Sequence, residues 1–154
     1  MSAVGARLGG LDLLFTWPPL LGVIVGLWLG TLGGALPGIG SAGGMALVLP
    51  LTLPLAPVNA IVLLVSMYSG AMYGGSISAI LVNVPGTGGA AATTFDGYPM
   101  SKLGRAVEAL VMSATASSTG GFLSVFALIL LSPVLIEVVL LFGSPEYFLM
   151  AVLG

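Results

Sequence analysis

Apolar residues run in long blocks along this chain, and clusters of proline and glycine interrupt them where charged loops would be usual. Pro18 to Leu36 is the first block, opened by Trp17 where an interfacial aromatic is expected. As a helix it reaches about 28 Å, one hydrocarbon core. Leu36-Pro37-Gly38-Ile39-Gly40 breaks it. Ser41 to Leu49 predicts a short helix ended by Pro50, and Pro50, Pro54 and Pro57 punctuate the stretch beyond it. Segment 41–57 therefore reads as broken or re-entrant. Val58 to Val84 is the second span, about 40 Å if helical throughout, hence tilted or broken. Pro85-Gly86-Thr87-Gly88-Gly89 stops it, and Asp96-Gly97 in the small, polar stretch Ala90 to Ser101 is a turn signal. Gly104 to Leu131 is the third span. Ser132-Pro133 and Ser144-Pro145-Glu146 read as helix starts, with Ser at the N-cap and Pro at the first helical position. Pro133 to Phe142 is then a separate piece, too short to cross. Tyr147 to Gly154 is apolar to its last residue, as expected of a fragment of a longer protein, so residues 1–154 read as one membrane domain.

Composition turns this pattern into a fold class. Charged residues make up 5% of the 154 residues, against about 25% in a soluble domain, and mean hydropathy is +1.20. Eight charges cannot wet a soluble surface: Arg7, Asp12, Asp96, Lys102, Arg105, Glu108, Glu137 and Glu146. The fold class is an all-α integral membrane protein, a multi-span helical bundle with broken or re-entrant helices at Pro-Gly motifs. Met1 to Leu14 lacks the compact apolar core and cleavage site of a signal peptide. The basic residues fall at Arg7 and at Lys102/Arg105; placing both on the cytoplasmic side calls for an even number of crossings between them, which favours the re-entrant reading of 41–57.

Composition also excludes functions. Three basic residues cannot neutralise a phosphate backbone, so nucleic acid is not a partner. The chain has no Cys and no His, which removes the usual zinc sites, His- or Cys-ligated haem, thiol chemistry and His-based triads. No metal site and no organic cofactor is expected. The chain reads as a non-enzyme: an intramembrane hydrolase ranks last, since no Ser-His dyad and no Gly-x-Gly-Asp motif exists.

Small residues repeat every four positions: Gly22, Gly26, Gly30 and Gly34; Ser66, Gly70, Gly74 and Ser78; Ala109, Ser113, Ser117 and Gly121. Such stripes let helix backbones approach closely in lipid, and they also suit a rocking surface in a transporter. A more specific feature is an approximate repeat. Leu36-Pro37-Gly38-Ile39-Gly40-Ser41-Ala42-Gly43-Gly44 and Val84-Pro85-Gly86-Thr87-Gly88-Gly89-Ala90-Ala91-Ala92 share an apolar-Pro-Gly-x-Gly core followed by small residues. Proline removes a donor and glycine permits positive φ, so the helix must open there. An opened helix offers carbonyls at one end and free N–H groups at the other, the arrangement that holds cations and anions in secondary transporters. Cationic side chains are nearly absent, so an anion falls to backbone amides and to Ser41, Asn83, Thr87, Thr93 and Thr94. The alternative is two interfacial turns, with Asn83 capping a helix end. Among the carboxylates, Glu146 suits a helix N-terminus, Glu108 lies three residues past Arg105 and suits an ion pair, and Asp96 is a turn residue. Glu137 sits among apolar residues, either in the membrane or on a short interfacial helix with its carboxylate in water.

At the two breaks the sequence resembles a known family. Gly34-Ala35-Leu36-Pro37-Gly38-Ile39-Gly40, Leu49-Pro50-Leu51-Thr52, the run from Tyr73-Gly74-Gly75-Ser76 to Asn83-Val84-Pro85-Gly86-Thr87, and Thr94-Phe95-Asp96-Gly97-Tyr98-Pro99-Met100 together resemble the N-terminal part of the large permease subunit of tripartite tricarboxylate transporters, the TctA family. The resemblance implies a multi-pass protein of the bacterial inner membrane. It implies a secondary carrier for citrate-like tricarboxylates or related carboxylates, driven by a Na⁺ or H⁺ gradient. The implied partners are a small membrane subunit, a periplasmic substrate-binding protein, the carboxylate substrate and the lipid bilayer. Carried onto this chain, Pro37, Gly38, Gly40, Ser41, Asn83, Pro85, Gly86 and Thr87 are the expected substrate and ion path. A non-transporting structural or assembly subunit and a channel are the alternatives.

Overall fold

The computed structural model describes residues 16–153, which form α-helices and one 3-10 turn. Helix α1 is Trp17–Ala35, α2 Gly40–Thr52, α3 Pro57–Val82, α4 Thr93–Lys102, α5 Ala106–Leu140 and α6 Ser144–Leu153; the 3-10 turn is Gly88–Ala91. Three of these, α1, α3 and α5, are long and apolar enough to cross a membrane. The expected all-α membrane architecture is therefore what the chain adopts. Met1 to Leu14 and Arg7 lie outside the described residues.

Residues 1–114 and 115–154 are separate compact units. The first is organised by α1 and α3. A Cβ added at Gly26 would lie 2.6 Å from the carbonyl oxygen of Leu63; one at Gly30 would collide with the Met67 carbonyl and one at Gly34 with that of Ala71. The fit is reciprocal, since a Cβ at Gly70 would lie 2.5 Å from the Leu27 carbonyl oxygen and one at Gly74 would strike that of Thr31. The first two small-residue stripes are thus each other's partners, backbone against backbone. Partner numbers rise together along both helices, from Gly22 beside Asn59 to Gly34 beside Ala71, so α1 and α3 run parallel.

Parallel packing dictates the connection. The end of α1 and the start of α3 lie at opposite ends of the pair, about 27 Å apart at helical rise. Residues 36–56 must travel that distance. Gly40 faces Gly86 at one end and Gly44 faces the Met67 methyl further down, so α2 runs antiparallel to α3. Segment 41–57, expected to be broken or re-entrant, contains the 13-residue helix α2, which continues through Pro50 to Thr52.

After α3 the chain turns back: Gly86 N–H donates to the Gly75 carbonyl at 3.4 Å, and Gly89 lies against the Met72 methyl. Then α4 climbs again, with Gly97 buried on Ile80. Asp96-Gly97 is therefore not a turn. Gly97 permits close packing of α4 on α3, where a Cβ would lie 2.7 Å from Ile80 Cγ1, and exposed Asp96 sits in the first turn of α4.

Helix α5 passes through Ser132-Pro133 to Leu140, so neither a helix start at Pro133 nor a separate Pro133–Phe142 piece forms. Proline forfeits one backbone bond, to Ile129, whereas ending the helix among apolar residues would strand several more donors and acceptors. Glu137 accordingly stands exposed on the last turn of α5. In the second unit Phe122 and Phe126 meet edge to face at 5.1 Å along α5. Gly143, not Ser144, accepts the first backbone bond of α6, from Tyr147, and its own N–H donates to Glu146 Oε2 at 2.8 Å. Of the third stripe, Ala109 is buried while Ser117 and Gly121 are exposed.

Two glycines of α1 give opposite expectations. Gly30→Ala destabilises the purified protein by about 1–3 kcal/mol through overpacking against Met67. Gly33→Ala, which meets open space, leaves stability unchanged or raises it by up to about 1 kcal/mol. Unfolding midpoints in detergent check both; equal effects would remove the close α1–α3 approach as a source of stability.

Candidate functional site

The two Pro-Gly breaks meet at one height on α3. At the first, Leu36 leaves α1 in an extended conformation, and Gly38 (φ 102°) and Gly40 (φ 65°) turn the chain into α2. A side chain at either glycine would be strained. The turn aims the N-terminus of α2 back toward the end of α1. Helix geometry leaves the N–H groups of Gly40, Ser41 and Ala42 without intrahelical acceptors.

At the second break Asn83 ends α3 in the left-handed conformation (φ 60°, ψ 23°), one of the few non-glycine residues that adopts it readily. Its left-handed backbone conformation terminates the helix. The chain then folds inward, and Gly86 reaches the carbonyl of Gly34, against which a Cβ at residue 86 would collide. The Gly75 carbonyl accepts from both Gly86 N–H and Ser78 Oγ, the latter at 3.1 Å. Thr87 settles over Gly75, where a Cβ would lie 2.5 Å from Thr87 Oγ1. Thr87 is 7% exposed, and its hydroxyl has no hydrogen-bond partner.

Between the breaks lies an open cleft of about 370 Å³. One wall is Gly38, Ile39, Gly40, Ser41 and Ala42; the other is Pro85, Gly86, Thr87 and Gly88. Of the residues expected on a substrate path, Gly38, Gly40, Ser41, Pro85, Gly86 and Thr87 are thus brought together. Pro37 and Asn83 do not line the cleft; they shape its approaches. Thr94 is also elsewhere, donating to the Ala91 carbonyl at 2.7 Å. Ala42 and Gly88 extend each wall beyond the motif cores. Gly75 and Gly34 are the residues that sequence reasoning missed: they seat the second break. Their signal was present, since Gly75 stands outside the four-residue stripe that Gly74 obeys.

No charged side chain lines the cleft. The described cations are engaged elsewhere: Arg105 Nε donates to Glu108 Oε2 at 2.9 Å, the expected ion pair, and Lys102 Nζ stands 4.9 Å from the Tyr98 ring centroid. Among the described residues no group of His, Cys, Asp or Glu is placed to hold a metal. The cleft offers backbone N–H groups, two hydroxyls and the positive end of α2, a set suited to an anion without a counter-charged side chain.

Three helices long and apolar enough to cross a membrane, with glycine breaks around a small uncharged cleft, make this a multi-pass membrane protein. Residues 20–154 match the Tripartite tricarboxylate transporter TctA family, and the chain belongs to that family. This is a family of transporter components, not of enzymes. The chain is also 46% identical over 130 residues, 84% of its length, to an "Uncharacterized 52.8 kDa protein in TAR-I ttuC' 3'region" of Agrobacterium vitis. It covers 26% of that relative, about a quarter of its length. No solved structure matches the chain.

The left-handed residue at the second break makes a prediction about stability. Asn83→Ala costs about 1–2 kcal/mol because an alanine in this conformation is strained. Asn83→Gly stays within about 0.5 kcal/mol of the parent. Thermal unfolding of the two variants side by side checks it; equal losses would show that the Asn side chain, not its backbone conformation, holds the break.

Proposed function

We propose that this chain forms part of the substrate path of a binding-protein-dependent secondary carrier that takes up tricarboxylates or related carboxylates. The observation that carries the reading is the convergence of both Pro-Gly breaks on one uncharged cleft walled by the N-terminus of α2. Family membership supplies the class, since tripartite transporters work with a small membrane subunit and a periplasmic binding protein. The setting is the bacterial inner membrane, and the driving force is a Na⁺ or proton gradient.

In this reading a substrate carboxylate accepts from the first-turn N–H groups of α2 and from the Ser41 hydroxyl. Gly38, Gly40 and Gly86 keep side chains out of the way so that backbone approaches ligand. The last turn of α1 presents carbonyls beside the second break, which is the end of a helix that suits the coupling cation. Pro37, Pro85 and Asn83 hold the helices open. A structural or assembly subunit would need the α1–α3 packing but has no use for an open cleft.

The test is uptake of labelled citrate and a panel of dicarboxylates into proteoliposomes. These hold the full-length permease and its small subunit, with and without binding protein and ion gradient. Uptake that requires both supports a carrier, and Ser41→Ala then lowers its rate about tenfold, the loss expected for one hydrogen bond to a charged group. Gradient-independent, non-saturating flux would identify a channel instead. Correctly inserted protein without flux of any panel member would favour an assembly role.

A further inference from the structure

Among the described residues, Thr87 Oγ1 is a buried side-chain oxygen without a hydrogen-bond partner. Two of the three other buried Ser and Thr side chains bond to a nearby carbonyl: Ser78 Oγ donates to that of Gly75 at 3.1 Å and Thr52 Oγ1 to that of Leu49 at 2.7 Å. Thr87 Oγ1 makes no such bond, although Thr87 is more than nine-tenths buried. It occupies the hollow left by the missing side chain of Gly75, with the carbonyl of that glycine already accepting from Gly86 N–H and Ser78 Oγ. Thr87 is also the N-cap of the 3-10 turn, yet its side chain makes no capping bond. Both local uses of a threonine hydroxyl at this position are therefore unfulfilled. Burying a hydroxyl without a partner is unfavourable, and a fold that retains one needs a reason.

The same residue lines the cleft opposite the first turn of α2. We propose that Thr87 is a ligand-binding residue: its hydroxyl turns from the Gly75 hollow into the cleft and donates to a carboxylate held by the N-terminus of α2. The turn is a rotation about the Cα–Cβ bond between staggered positions, and needs no backbone movement. It exchanges an unpartnered hydroxyl for one that donates to an anion, and leaves a methyl group in the hollow. A neutral donor on the second break, facing free N–H groups on the first, makes ligand binding depend on both breaks being in place. The ligand class is a small organic acid presenting one carboxylate to the cleft. This inference rests on the cleft being the carboxylate site.

The experiment separates the two ideas. Full-length permease with its small subunit, otherwise free of cysteine, carries Ala42→Cys as an exposed reporter on the cleft wall. Its alkylation by a water-soluble maleimide is measured against citrate, succinate and malonate. Protection by any of the three supports the cleft as the site, and Thr87→Val in that background raises the half-protecting concentration about tenfold while Thr87→Ser stays within about threefold. Protection with an unchanged half-point in Thr87→Val overturns the role of Thr87 and leaves the cleft standing. No protection by any of the acids overturns both. Thr87→Ala replaces the valine variant in the same comparison if the latter fails to insert.

Discussion

The close parallel approach of α1 and α3 is the contact on which the first unit depends. Gly30 and Gly34 bring the α1 backbone against the carbonyls of Met67 and Ala71, and Gly70 and Gly74 return the contact to Leu27 and Thr31. In lipid, burial of apolar surface gives little drive for such association, so dispersion between closely fitted backbones must supply it. The fit also fixes a height. Gly34 lies in the last turn of α1, and its carbonyl is where Gly86 lands. The position of the second break is thereby set by the packing of the first long helix, and the cleft exists because the two breaks cannot drift apart along α3.

Parallel packing of consecutive long helices has a topological cost that the chain meets with α2. The connection must recover the whole length of the pair, which leaves no room for a shallow loop. The turn after α1 leaves the N-terminus of α2 near the height of Gly75, short of the end of α3. The second break then enters from the other direction, descending to Met72 before α4 climbs out. One motif thus opens helix α2 and the other a hairpin back along α3, although their residues are similar. What separates them is the partner: the first turns onto the free flank of α3, and the second is captured by Gly75.

The sequence made the three long helices, the small-residue stripes and both breaks legible, because each rests on local residue chemistry. Glycine at every fourth position and proline beside glycine are local signals. The parallel sense of α1 and α3 is not local, which is why 41–57 read as re-entrant and the hairpin at 83–102 went unseen. Proline was overweighted at positions 50 and 133, both inside helices. The rule that proline ends a helix assumes water to satisfy the freed groups, and in an apolar segment that assumption fails. Asp96-Gly97 misled in the same way, since a glycine chosen for contact with Ile80 looks identical in sequence to one chosen for a turn. Six of the eight expected path residues line the cleft because motif cores at corresponding helix ends come together in space; the two that do not are the ones whose task is conformational.

On the carrier reading, a site for an anion without a cationic side chain is a consequence of the medium. A lysine or arginine at this depth would have to be desolvated whenever the cleft was empty, which is expensive in a membrane. Amide dipoles and hydroxyls carry no such penalty, and their attraction is moderate enough for a carrier to release what it binds. The uncompensated charge of the bound acid must then be met by something mobile. On the carrier reading that is the coupling cation, and the carbonyl end of α1 stands beside the loop that bears Thr87. Occupancy by acid and by cation would favour each other through a few ångströms of backbone, so the lack of a fixed positive charge is itself what would tie substrate binding to the ion gradient.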